Sequence, residues 1–270
     1  MSACSFYQIW TIRFNFCLCS VLAAIIIALI AISNVSIDFS VINNGAEGGH
    51  FIKLGASSIY AEGLDSKIKL LMHCDGTNGS TAFVDECGKS VISSGVAMDT
   101  ATKKFGTASA KVTGNNYLYI PYNPDFNFRG DDFTVAVWIK VITPPSEYRV
   151  VGYILENGND SLNNTSWEFS LYNANGKIVV RGDMFSNGSY SALCWKKDLN
   201  DGKCHHVAFT RSGSAAYLFV DGIKEMQSSY IGTNSLTETN CSLRIGYENV
   251  YGRGFVAYID EVLIEKGIAL

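Results

Sequence analysis

Charge is what this chain has least of. Only 17% of its 270 residues are Asp, Glu, Lys or Arg, the formal net charge is -4, and no Lys/Arg cluster interrupts that pattern. A protein that grips nucleic acid needs a basic face to neutralise phosphates, so a nucleic-acid partner is excluded from our expectations. The sparse charge also suits a neutral polar ligand better than an anionic polymer. Cys74, Cys87, Cys194, Cys204 and Cys241 contain no Cys-x-x-Cys spacing, which argues against zinc.

Charge is wholly missing between Asn15 and Ile37, and Val21 to Ile32 is apolar without a break, with Arg13 before the stretch and Asp38 after it. A membrane helix takes about 20 apolar residues, and the apolar part of a cleaved signal about 7 to 15; this run falls between them. Phe16-Cys17-Leu18-Cys19 lengthens it toward a span, whereas Ala31-Ile32-Ser33 offers small residues for cleavage. We read residues 1–36 as a cytoplasmic tip and an uncleaved transmembrane or signal-anchor helix, with Arg13 on the cytoplasmic side; a cleaved signal is the alternative. The rest of the chain is then membrane-anchored with an extracellular domain, or secreted. Residues 37–66 read as a connector or stalk. Ile37, Phe39 and Val41 alternate with polar residues as in a strand, residues 43–49 break the pattern with Asn and Gly, and residues 50–60 can pair back. Two strands alone are marginal in water, so no separate domain is expected there.

Residues 67–270 have a different texture. Hydrophobic residues make up 47% of the chain and aromatics 12%, enough for a sizeable core. His205 to Arg211 and Ala215 to Val220 flank Ser212-Gly213-Ser214, and the second run ends in Asp221-Gly222. That block predicts a β-hairpin followed by another tight turn. Further short strands are predicted from Ile68 and at 117–122, 133–142, 149–156, 167–172, 177–181, 190–195, 242–247 and 255–265, and this spacing predicts an all-β antiparallel sandwich. In 133–140, Phe133, Val135, Val137 and Ile139 fall on one face and Trp138 on the other, with apolar residues on both, as in a central strand.

The order of several short motifs adds a family. They are Leu70 to Thr77 with Asp85, Gly88 and Lys89; Lys104-Phe105-Gly106 with Ala108; Tyr117 to Pro121; Asp125-Phe126 and Phe128; Asp132 to Trp138; His205-His206-Val207-Ala208 with Arg211; Tyr217 to Gly222; Leu243 to Gly246; and Ile259 to Val262. Over residues 68–270 the chain resembles the laminin G-like (LamG), concanavalin A-like lectin and glucanase jelly-roll group. Cys74 stands where that family usually has an aromatic residue, and Cys204 where a Trp usually precedes the His pair. The resemblance implies a jelly-roll sandwich and, as cofactor, calcium held by Asp260 of the last strand, with Asp85 and Gly76 supplying further oxygens.

Other residues invite chemistry. An odd set of five exported cysteines leaves one free or paired with another chain. Cys74 and Cys87 bracket a loop whose closure would stabilise the fold by about 3 kcal/mol; the alternative is that the cysteines are small buried apolar residues. His205 and His206 are neighbours on a strand and point to opposite faces, so they do not chelate one ion together. Asn-x-Ser/Thr triplets begin at Asn34, Asn78, Asn159, Asn163, Asn164, Asn187 and Asn240. Sandwich glucanases place acids at alternate positions of one strand, and the nearest approach here is Glu261, Leu263 and Glu265. A rise of about 3.3 Å per residue sets the two acids roughly 13 Å apart, beyond the 5 to 9.5 Å or so that glycosidase carboxylates need. No enzymatic activity is expected. For a glycan or other cell-surface ligand the candidates are Trp167, Tyr153, Arg181, Tyr190 and Trp195, because sugars stack on flat rings and take directional hydrogen bonds. The expected function is non-catalytic recognition, carbohydrate-binding or adhesive; self-assembly into an extracellular filament or virion surface is the alternative.

Overall fold

The computed structural model describes residues 39–42, 51–54, 65–114, 116–143, 150–158, 164–194, 197–228, 234–247 and 255–269. The helix expected within residues 1–36 lies outside them, and among the described residues no helix is long and apolar enough to cross a membrane. The chain divides into two compact units, Met1–Leu64 and Asp65–Leu270. In the first, β1 (Phe39–Ile42) pairs antiparallel with β2 (Phe51–Leu54).

The second unit carries β3 (Ile68–Met72), β4 (Ile92–Ser94), β5 (Ala97–Asp99), β6 (Ser109–Thr113), β7 (Tyr117–Ile120), β8 (Phe133–Thr143), β9 (Val150–Asn157), β10 (Trp167–Ala174), β11 (Lys177–Ser186) and β12 (Ser189–Cys194). It continues with β13 (His205–Ser212), β14 (Ala215–Val220), β15 (Ile223–Ser228), β16 (Leu243–Tyr247) and β17 (Val256–Lys266). They form two antiparallel sheets, a seven-stranded one in the order β12-β11-β10-β9-β16-β7-β4 and an eight-stranded one in the order β15-β14-β13-β8-β17-β6-β5, with β3 on β17. This is the all-β antiparallel sandwich that the strand spacing predicts.

The two tight turns fall where the sequence places them. Ser212 pairs with Ala215 around Gly213 at φ 56°, and Asp221 and Gly222, at φ 51° and 78°, turn β14 into β15. A type I′ hairpin loop needs positive φ at both central positions, which Asp-Gly supplies cheaply. β13 then pairs with β8, Val207 opposite Val137, so the inward residues of both strands meet the core together. Phe133, Val135, Val137 and Ile139 are all buried while Trp138 points outward. β17 lies against β8 along its length, and against β6 and then β3 on its other edge. A bulge between Asp260 and Leu263, with Glu261 at φ 51°, breaks its alternation.

Aromatic rings fill the space between the sheets. Phe128 stacks on Phe133 with centroids 4.3 Å apart and on Trp167 at 5.2 Å, while Phe209 meets Phe133 edge-on at 5.3 Å. Offset and edge-to-face geometries of this kind are the favoured ones. Gly182 on β11 admits Phe209, since a Cβ there would sit 2.7 Å from the ring.

Candidate functional site

The inner face of the seven-stranded sheet determines what its outer face can present. Leu155, Phe169 and Gly182 turn toward the other sheet, so their sequence neighbours Glu156, Glu168 and Asp183 turn away from it. Register then aligns one row of side chains across six strands: Ile92 opposite Tyr119, Tyr119 opposite Arg244, Arg244 opposite Glu156, Glu156 opposite Glu168, and Glu168 opposite Asp183. At the β4 end the row opens into a cavity of ≈ 390 Å³ lined by Ile92, Ser94, Tyr117, Tyr119, Ser242 and Arg244. That volume lies within the range of about 300 to 1,000 Å³ usual for small-ligand sites.

The tyrosine rings lie 6.0 Å apart, tilted by 47°. Arg244 Nη1 sits 3.7 Å from Glu156 Oε2. Further along the row, Arg181 donates from Nε and Nη2 to the two oxygens of Asp183 at 2.7 Å each, and its guanidinium lies 5.4 Å from the Tyr172 ring centre. Burial works to discharge Arg181, but the bonds to Asp183 prevail and hold its pKa above the ordinary arginine value. Glu156, Glu168 and Asp183 are 0%, 6% and 1% exposed. They therefore form a layer of acids beneath the surface, with tyrosines, serines and an arginine at the open end. Flat rings beside hydroxyl and guanidinium donors can take the apolar face and the hydroxyls of a sugar.

Of the five residues expected to bind ligand, Arg181 lies on this face, and so does Tyr190, half exposed on β12 opposite Phe185 with their rings 5.9 Å apart. Tyr153 has its backbone on β9 opposite Ser170, and its side chain lies outside the described set. Trp195 lies outside the described residues. Trp167 is a correction: it is wholly buried, stacked on Phe128, and its Nε1–H donates to the Phe126 carbonyl at 2.9 Å, so it offers no ring to a ligand. The residues that line the cavity, Tyr117, Tyr119 and Arg244, belong to segments that carry the family resemblance, and only the cross-strand register reveals what they share.

The calcium expected at Asp260, Asp85 and Gly76 does not fit either. Asp85 accepts backbone N–H bonds from Leu71, Cys87 and Lys89 at 2.9 to 3.0 Å. Asp260 Oδ2 accepts from the N–H groups of Lys104 and Phe105 at 2.7 and 3.1 Å, and the Gly76 N–H donates to Thr107 Oγ1. Asp260 Oδ1 is buried without a partner, but one oxygen falls far short of the six to eight or so that calcium takes. Among the described residues no three His, Cys, Asp or Glu side chains gather into a metal group.

The histidine pair is divided as its strand position requires. His205 is buried between Asp221, 2.8 Å from Nδ1, and Asp201, 2.9 Å from Nε2, while the His206 ring lies outward, 5.3 Å from Trp138. Cys74, Cys87, Cys194, Cys204 and Cys241 are free thiols; Cys74 is buried, and burial pushes its pKa up. On the last strand, Glu261 is held by His73 Nδ1 at 2.8 Å.

A family model described as the concanavalin A-like lectin/glucanases superfamily matches residues 112–268. No curated protein matches the sequence. Among solved structures, the binding domain of Paraclostridial Mosquitocidal Protein 1 superposes with a TM-score of 0.60 at 14% identity, covering 76% of this chain and 50% of that one. The botulinum neurotoxin serotype G binding domain gives 0.57 at 13%, over 74% and 48%. A botulinum neurotoxin type C structure, whose passage into cells depends on interaction with two ganglioside molecules, gives 0.58 at 13%, over 76% and 49%. The chain thus spans about half the length of these structures, and at such identities they share its fold.

Proposed function

The chain belongs to the concanavalin A-like lectin/glucanases superfamily, and from that premise we propose that it is a non-catalytic recognition module for carbohydrate, which it takes on the outer face of the seven-stranded sheet. The observation that carries this reading is the in-register row from Tyr119 through Arg244 to Glu156, with its cavity between β4 and β16. A ring pair, two serines (Ser94 and Ser242) and one arginine suit the mixed apolar and hydroxylated surface of a sugar. The ganglioside named for the neurotoxin type C neighbour is a glycan-bearing ligand of the same general class.

Against catalysis stands the burial of Glu156, Glu168 and Asp183. A general acid and its partner must touch the glycosidic bond, and carboxylates under the surface do not. Export, with anchoring through residues 1–36, belongs to the same proposal and rests on the uncharged run from Asn15 to Ile37. A glycan-array screen of the full chain, paired with an assay for reducing sugar on every bound glycan, tests it. Binding without sugar release is the expected result. Release of reducing sugar would turn the module into an enzyme, and silence across the array would remove carbohydrate as the ligand.

A further inference from the structure

The outer face of the other sheet carries a separate feature, built from opposite chemistry. Alternation along β8 puts Trp138 and Lys140 on that face, and the pairing of His206 with Trp138 brings Cys204 level with Lys140. The loop between β5 and β6 is tied down over them at both ends: Asp260 Oδ2 accepts the Lys104 and Phe105 N–H groups, and Asp75 accepts those of Thr107 and Ala108. As a result Lys104 Nζ rests 4.1 Å from the Trp138 ring centre, and the Phe105 ring meets Trp138 edge-on at 5.6 Å while staying half exposed.

An opening of ≈ 640 Å³ is lined by Lys104 together with Lys103, Lys140 and Lys203, with Thr102 and Cys204 among them; the Lys103 ammonium donates to the Thr100 carbonyl at 3.0 Å. Asp201 approaches Lys203 only to 3.8 Å, and the Asp260 carboxylate is engaged below by backbone. Four like charges at one opening repel one another, and in a chain of net charge -4 the cluster is not a by-product of overall basicity. An anion placed among them relieves that repulsion. A ring half open to solvent beside the cations adds a surface for an apolar face.

We propose that this opening binds an anionic saccharide, one that carries sulfate or carboxylate groups. The lysines take the anionic groups, and Phe105, backed by Trp138, takes the sugar ring. The site is separate from the one on the seven-stranded sheet and does not depend on it. It also qualifies the expectation that scarce charge favours a neutral ligand, because where the charges gather matters more than their sum.

The test is calorimetric titration of the full chain with a sulfated tetrasaccharide, with its desulfated counterpart, and with a single-stranded DNA of equal charge. The sulfated form should bind and weaken as salt rises, and the desulfated form should not bind. In the triple variant Lys103→Ala, Lys140→Ala, Lys203→Ala affinity should fall by about tenfold or more, with a melting temperature no lower than that of wild type. Tyr119→Ala should leave this binding intact, so a failure here is told apart from a failure of the site on the other sheet. Equal binding by the triple variant or by the desulfated form would overturn the proposal. Equal binding of the DNA would overturn it too, by reducing the opening to an unselective polyanion surface.

Discussion

Replacing Trp167 by Ala separates packing from recognition. The side chain is wholly buried, its ring lies 5.2 Å from Phe128 at 17°, and Phe128 lies 4.3 Å from Phe133, so the substitution opens a hole in the central aromatic stack. Truncating a buried Trp to Ala costs about 3–5 kcal/mol. The lost Nε1–H bond adds little, because the Phe126 carbonyl still accepts from Asn157 Nδ2 at 2.7 Å. In a domain of this size about 1 kcal/mol moves the melting temperature by about 2–4 °C, so a fall of about 6–20 °C is expected. Calorimetry on wild type and variant gives the number directly. A fall under about 2 °C would refute the packing account and return Trp167 to the exposed ligand platform that its position in the sequence suggests.

Two further outcomes follow from side-chain hydrogen bonds. Burial tends to raise the Asp221 pKa, but bonds from Lys197, His205 and the His206 N–H outweigh it and pull the value from 3.8 to about 2. A carboxylate depressed in the folded state contributes stability above its unfolded pKa and loses it as pH falls, so the Asp221 contribution should fade between about pH 4 and pH 2; acid melts of wild type and Asp221→Asn should converge across that window, and a constant gap would contradict the assignment. Excess chelator should leave the melting temperature where it is, since Asp85 and Asp260 are held by backbone N–H groups; a marked fall would restore calcium to the fold.

The sequence is most legible where neighbours in the chain are neighbours in space. The β13–β14 hairpin, its Asp221-Gly222 turn and the alternating face of β8 can all be read locally, because period-two patterning and positive-φ turn residues are local signals. The strands β4, β5, β6 and β15 escape such a reading. Ile92-Ser93-Ser94 and Ala97-Met98-Asp99 have three residues each, too few for an alternation to show. Trp167 misleads because its burial is due to Phe126 and Phe128, about forty residues earlier in the chain. The polar row is hidden for a related reason. Glu156, Glu168 and Asp183 are single acids in apolar strands, aligned only once β9, β10 and β11 are in register. The lysine opening is likewise assembled from one dipeptide and two isolated residues, so no basic run announces it.

The central claim is that the open end of the row on the seven-stranded sheet holds a sugar, and Tyr119→Ala tests it most directly. Tyr119 lies between Ile92 and Arg244 and lines the cavity without closing the core. Titrated with the glycan that the wild-type chain binds best, the variant should lose affinity by about tenfold or more while its melting temperature stays close to that of wild type. Unchanged affinity in a folded variant would contradict the account and place recognition elsewhere on the molecule.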